Sequence, residues 1–236
     1  MIVVIRSLIF QLGMLLFTVP FTFLATSTIF FTPVNRNKFI SLWAKAMLLW
    51  LKFTCNLSFT VLGTENIPRS PCIIFSKHQS AWETLALQKI FPPQVWVLKR
   101  ELLWLPFFGW GLAMTSPIAI NRRAGRRSLD QILSQGIDRI KKGFFVVIFP
   151  EGTRSKPLES GKYHIGGAWL ATQSKLDVIP VAHNAGFYWS KNSFIKKPGV
   201  IKVIIGKPIK SEGLKADQLN GVAKKWIEET MLKINV

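Results

Sequence analysis

Apolar and polar positions divide the 236-residue chain into two regimes. Residues 1–56 are apolar with a few isolated cations, and from residue 57 short apolar runs alternate with amphipathic stretches. No residue between Arg6 and Arg36 is charged. As a helix that span would be about 43 Å long, more than a hydrocarbon core of about 30 Å. Pro20 lies in the middle, where proline kinks or breaks a helix. The segment is expected as one tilted spanning helix or as a bent pair that dips in and returns. "FISLWAKAMLLWLKF" follows, with Trp43 and Trp50 seven apart and Lys45 and Lys52 seven apart. Seven residues make two turns, so the tryptophans share one face and the lysines another, as in an interfacial helix.

The second regime reads as strands alternating with helices. "LSFTVLG", "PCIIFS", "QVWVLK", "SPIAI", "FFVVIF", "VIPVAH" and "VIKVIIG" have strand length and apolar character. Between them, "WETLALQKIF" stops at Pro92-Pro93, and "PFFGWGLAM" is an aromatic helix or turn. "RSLDQILSQGIDRIKK" has apolar residues at helical spacing before Gly143. "GAWLATQS" and the closing "ADQLNGVAKKWIEETMLKI" are further helices. The pattern predicts an α/β fold: a mostly parallel central sheet flanked by helices in residues 57–236, preceded by membrane-anchoring helices in residues 1–56.

Charge sharpens the picture. There are 31 Lys+Arg against 12 Asp+Glu, a net charge of +19, with 49% apolar residues and nine Trp. Nucleic-acid-binding proteins share the charge but seldom this apolar, Trp-rich content, so no nucleic-acid partner is expected. Anionic membrane lipids and phosphate-bearing ligands suit it better. The first acidic residue is Glu65, and cations cluster after the first apolar run, which predicts that side to be cytoplasmic. The run is long for a signal-peptide core and lacks a clear cleavage site, so a retained anchor is expected. The two cysteines, Cys55 and Cys72, give neither a disulfide framework nor metal-ligand spacing.

In a parallel sheet, ligands bind beyond the carboxyl ends of the strands. Three polar segments follow strands and should converge there: "SKHQSAWE", "NRRAGRR" and "FPEGTRS". Ser80 and Glu83 have the spacing of a capping box. With Ser80 at the helix start, His78 in the preceding turn can reach Glu83. One carboxylate oxygen can then cap the helix while the other fixes the imidazole tautomer and leaves the second ring nitrogen as a base. Gly152 lets backbone approach a ligand, Thr153 and Ser155 offer hydroxyls, and Arg154 offers a planar fork for phosphate oxygens. Glu151 is expected to orient a hydroxyl or an arginine. Arg122, nearest its strand end, is the best phosphate clamp of its cluster, and its companions suit lipid headgroups. His164 and His183 receive no role. There is no G-x-S-x-G elbow and no Walker A pattern.

Together these blocks resemble the glycerolipid acyltransferase family, specifically the 1-acylglycerol-3-phosphate acyltransferases. The blocks are His78 to Glu83 in place of H-x4-D, Phe108-Gly109-Trp110-Gly111 leading to Arg122, the intact Phe149 to Arg154, and Val178 to Val181. Lys99 resembles a further family position near the site, a possible substrate contact. The resemblance implies transfer of an acyl group from acyl-CoA or acyl carrier protein to the sn-2 hydroxyl of lysophosphatidic acid, at a membrane and without metal or cofactor. His78 and Glu83 would be catalytic; Arg122, Glu151, Gly152, Thr153 and Arg154 would bind the phosphate. The family usually has aspartate where Glu83 stands. An H-x4-E pair is typical of lipid A secondary acyltransferases, which lack F-P-E-G-T-R, so that activity, or acyl transfer to another lysolipid, is the alternative. A non-catalytic basic adaptor at the membrane surface is a second one.

Overall fold

The computed structural model describes residues 1–234, and of Arg123 only the backbone. Residues Ile2–Ser27 form one helix, α1, which continues through Pro20. Of the two expected arrangements, the single helix is the one observed: proline removes a single ladder bond, and α1 is held along its length by α2 (Pro33–Cys55) and α4 (Phe108–Met114). Ile2–Phe30 is the one stretch among the described residues long and apolar enough to cross a membrane, with mean hydropathy 2.2.

A short turn at Thr28–Phe30 reverses the chain. Thr32 then caps α2, accepting from the Asn35 N–H at 3.4 Å, with Pro33 in the first turn. Phe21 stacks on Phe39 at 5.7 Å and Cys55 Sγ donates to the Arg6 carbonyl, so the two helices run antiparallel. Trp50 lies flat on Gly13, where a Cβ would come within 2.2 Å of its indole nitrogen. Trp43 and Trp50 therefore pack towards the protein, which corrects their expected interfacial placement; Lys45 and Lys52 are exposed as expected.

All seven expected strands form one sheet: β1 (Leu57–Leu62), β2 (Ile73–Ser76), β3 (Gln94–Lys99), β4 (Ile118–Ile120), β5 (Phe145–Ile148), β6 (Val178–His183) and β7 (Gly199–Ile205). Their order is β1-β7-β6-β2-β5-β3-β4. Every pairing is parallel except β6 with β7, so β1 and β7 run against the other five. β2, β5 and β6 are buried throughout, which is why they read as unbroken apolar runs rather than alternating ones.

Alternate side chains feed two cores. Ile74, Val147 and Val181 join Met47, Leu51 and Phe10 of the N-terminal helices, together with α3 (Trp82–Ile90). Ile73, Val146 and Val178 join α5 (Arg126–Lys141), α6 (Gly166–Ser174) and α8 (Ala216–Ile234) on the other face. The segment 1–56 is thus one wall of the first core rather than an appendage, though the sheet does begin at Leu57. The sequence did not announce α7 (Ala185–Tyr188), a single turn after β6.

Candidate active site

The five co-directional strands bring the three polar loops to one edge. His78 lies just past β2, half-buried, with Nδ1 2.7 Å from Glu83 Oε1. That same oxygen accepts the N–H groups of Gln79 and Ser80, each at 2.9 Å. The expected division between two oxygens is therefore wrong: one oxygen caps the turn and receives the imidazole, while Oε2 has no hydrogen-bond partner among the described residues. Ser80 and Glu83 cap the helix start as their spacing predicts, Ser80 Oγ accepting from the Trp82 N–H at 3.1 Å, although α3 itself begins one residue later than expected, at Trp82. Burial alone would raise the Glu83 carboxyl. The His78 hydrogen bond, the nearby imidazoles and the Ser80 amide outweigh it and hold the carboxyl below its ordinary range. A carboxylate on Nδ1 fixes the proton there and leaves Nε2 as the basic nitrogen. The ring also stacks on Phe149, with centroids 4.1 Å apart and planes 16° apart, so both its position and its tilt are fixed.

The loop after β5 grips the main chain on either side of His78. Glu151 Oε1 accepts the His78 N–H at 2.9 Å, and Ser155 donates its N–H (2.8 Å) and hydroxyl (3.2 Å) to the His78 carbonyl. Glu151 Oε2 meets Lys77 Nζ at 3.2 Å, both side chains being about 1% exposed. This corrects the expectation for Glu151: it orients neither a hydroxyl nor an arginine, and both its oxygens are engaged inside the protein rather than on the cavity. Gly152 turns the loop at φ +67°, and a Cβ there would come within 2.9 Å of His164. Its carbonyl accepts a hydrogen bond from Arg122 Nη1, which joins the loop after β4 to the loop after β5.

These loops open on a cavity of about 810 Å³. His78, Lys99, Arg122, Gly152, Thr153 and Arg154 all line it, so every site residue expected from the sequence is gathered except Glu83, which stands behind the imidazole, and Glu151. The other walls are apolar and come from α1, α2, α3 and α4, with Phe21, Ile40, Leu85 and Leu112 as examples. Arg126 and Arg127 of the arginine cluster are exposed at the start of α5. Among the described residues no three His, Cys, Asp or Glu side chains are placed to hold a metal ion.

Sequence reasoning missed Lys77, although a lysine ending so apolar a strand was a visible anomaly. It also missed Lys191, which lines the cavity and donates to Thr153 Oγ1 at 3.4 Å; nothing local marks it, because the contact spans 38 residues. His183 is a satisfied core residue: Nε2 donates to the Lys77 carbonyl at 2.8 Å and Nδ1 accepts from the Ala185 N–H. Burial pushes its pKa below the ordinary value.

Comparison with known proteins bears on the family and the fold. A family model described as Acyltransferase matches residues 58–184. A 1-acyl-sn-glycerol-3-phosphate acyltransferase of Pseudomonas aeruginosa is 43% identical over 218 residues, 89% of this chain and 85% of that protein. The enzyme of the same name from Saccharomyces cerevisiae is 32% identical over 74% of this chain and 59% of its own length. The crystal structure of the 1-acyl-sn-glycerophosphate (LPA) acyltransferase PlsC from Thermotoga maritima shares the fold, with a TM-score of 0.82 at 20% identity over 99% of this chain and 96% of that one. The family model over residues 58–184 and the 43% identity across most of both chains place this chain, with its imidazole–carboxylate pair at the mouth of an apolar cavity, in the acyltransferase family.

Proposed function

We propose that the protein transfers an acyl group from a thioester, acyl-CoA or acyl carrier protein, to the sn-2 hydroxyl of lysophosphatidic acid, giving phosphatidic acid. The observation that carries the reading is His78, oriented by Glu83 at 2.7 Å and lining one cavity with Arg122 and Arg154. A base, phosphate-binding cations and an apolar chamber are the three things this substrate needs. The names of the bacterial and yeast relatives support the same acceptor.

In the proposed mechanism the acceptor phosphate sits against Arg122 and Arg154, with Lys99 and Lys191 beside them. The hydroxyl proton passes to Nε2 of His78 as the oxygen attacks the thioester carbonyl. The carboxylate of Glu83 stabilises the imidazolium that forms. The tetrahedral intermediate collapses, the carbon–sulfur bond breaks, and the thiolate leaves with the proton from Nε2. No covalent enzyme intermediate is needed. The side chains of α1 that point away from α2, such as Leu12, Leu16 and Phe23, are exposed and apolar, which supports residence at a membrane. The cations after the first apolar run suggest its cytoplasmic face.

The test is thiol release from acyl-CoA in the presence of lysophosphatidic acid, with phosphatidic acid identified as product. His78→Ala is expected to abolish turnover while the protein still folds. Full turnover by that variant, or no turnover by the parent with either thioester donor, overturns the reading.

A further inference from the structure

Lys77, the residue before His78, is a buried cation that the proposed mechanism does not use. Its side chain is buried at 1% exposure while that of its neighbour reaches the cavity. An ammonium has three protons to donate, and all three are used. They go to Glu151 Oε2 at 3.2 Å, to the Glu159 carbonyl at 3.0 Å and to Glu228 Oε1 at 2.9 Å. Glu228 belongs to α8, 151 residues along the chain. Its Oε1 also accepts the Tyr163 hydroxyl at 3.0 Å. Burial, then the charges of Glu228 and Glu151, push the Tyr163 phenol far above its ordinary range, so it stays a donor.

The connections form a chain: Tyr163 to Glu228, Glu228 to Lys77, Lys77 to Glu151, and Glu151 to the N–H of His78. Lys77, Glu151, Tyr163 and Glu228 are all absent from the cavity wall. They act on the cavity only through the residues they hold, and the one direct hydrogen bond from this chain to a reacting residue is that of Glu151 to the His78 N–H. A buried ion pair contributes little net stability compared with an apolar replacement of similar volume, but it demands one geometry. We propose that Lys77 and Glu228 are positioning residues that set where the main chain of His78 leaves β2, and so where its basic nitrogen meets the acceptor hydroxyl. The C-terminal helix is thereby part of the catalytic apparatus, though it lies across the sheet from the N-terminal helices.

The inference rests on the acyl-transfer reading, and it is tested only in a parent protein that already transfers acyl groups, so the two can fail separately. Steady-state kinetics with lysophosphatidic acid and acyl-CoA are measured for Lys77→Met, Glu228→Gln and the double variant. Lys77→Met is expected to lower kcat roughly a hundredfold, the size of loss that about 1 Å of misplacement causes. Both KM values should stay within about twofold, because no binding contact is removed. Glu228→Gln should lower kcat roughly tenfold in the parent but under about twofold in the Lys77→Met background, because the path it uses is already cut. A folded Lys77→Met with parental kcat, a Glu228→Gln with parental kcat, losses that appear in KM alone, or equal Glu228→Gln losses in both backgrounds overturns the proposal. If Lys77→Met does not fold, Glu228→Gln alone decides by the same division between kcat and KM.

Discussion

Oε1 of Glu83 lies 2.7 Å from Nδ1 of His78 and accepts two backbone N–H groups as well, while Oε2 of the same carboxylate has no hydrogen-bond partner among the described residues. A single atom therefore fixes the base and the turn that presents it. Glu83→Gln keeps the shape but removes the charge that stabilises a protonated imidazole. Its kcat is expected to fall about a hundredfold, within the range general-base catalysis supplies, with KM for lysophosphatidic acid nearly constant. The measurement is thiol release at saturating substrates.

The cations of the cavity should act on binding instead. Arg154→Ala and Lys191→Ala are each expected to raise KM for lysophosphatidic acid by about tenfold, since a hydrogen bond to a charged group is worth about 1.5–3 kcal/mol. Neither should affect an acceptor without phosphate, such as a monoacylglycerol. Comparing KM across the two acceptors checks this, and a rise in KM for acyl-CoA alone would assign the cation to the donor.

His183 predicts a pH dependence of stability. Its folded pKa lies below the ordinary 6.5, because burial disfavours the charged ring. The unfolded chain therefore binds a proton before the folded one does. Stability is complete above about pH 6.5 and declines as pH falls below it, towards the depressed folded value. Glu83, also held low, adds to the loss at more acid pH. Thermal melts at pH 7.5 and 5.5 should show a lower Tm at 5.5, with a smaller difference in His183→Gln.

Removing residues 1–32 should not release a working soluble domain. Phe10 is fully buried, edge-on to Trp189 at 5.5 Å. Lys196 donates its N–H to Ser7 Oγ at 2.9 Å and its ammonium to Gln11 Oε1 at 3.1 Å, with that ammonium 4.8 Å from the Trp189 ring. Deletion strips these partners and opens the cavity wall. The truncated protein is expected to be insoluble or to melt far below the parent in the same detergent; equal Tm and activity would show the helix to be dispensable.

Much of this architecture was legible in the sequence. Strands buried on both faces must be apolar throughout, so β2, β5 and β6 stood out. The ends of parallel strands share an edge, so His78, Arg122 and Arg154 could be gathered without coordinates. What stayed hidden was long-range or a matter of single atoms. Nothing near Glu228 says that it meets Lys77, and nothing near Glu151 says that its partner is an ammonium rather than an arginine. That β7 runs antiparallel to β6 depends on a chain reversal through α7, whose sequence has no helical periodicity to read. Pro20 left two arrangements open, because a local rule about one lost hydrogen bond cannot say whether neighbouring helices hold the segment together.

Since α1 is both an outer surface and an inner wall, each turn of it answers to two environments. Met14 and Thr18 look into the chamber, whereas Leu15 and Leu16 are 60% and 71% exposed. An engineer seeking a detergent-free form has a register to follow: polar replacements at Leu15 and Leu16 leave the interior lining untouched, while the same change at Met14 or Thr18 alters the chamber itself.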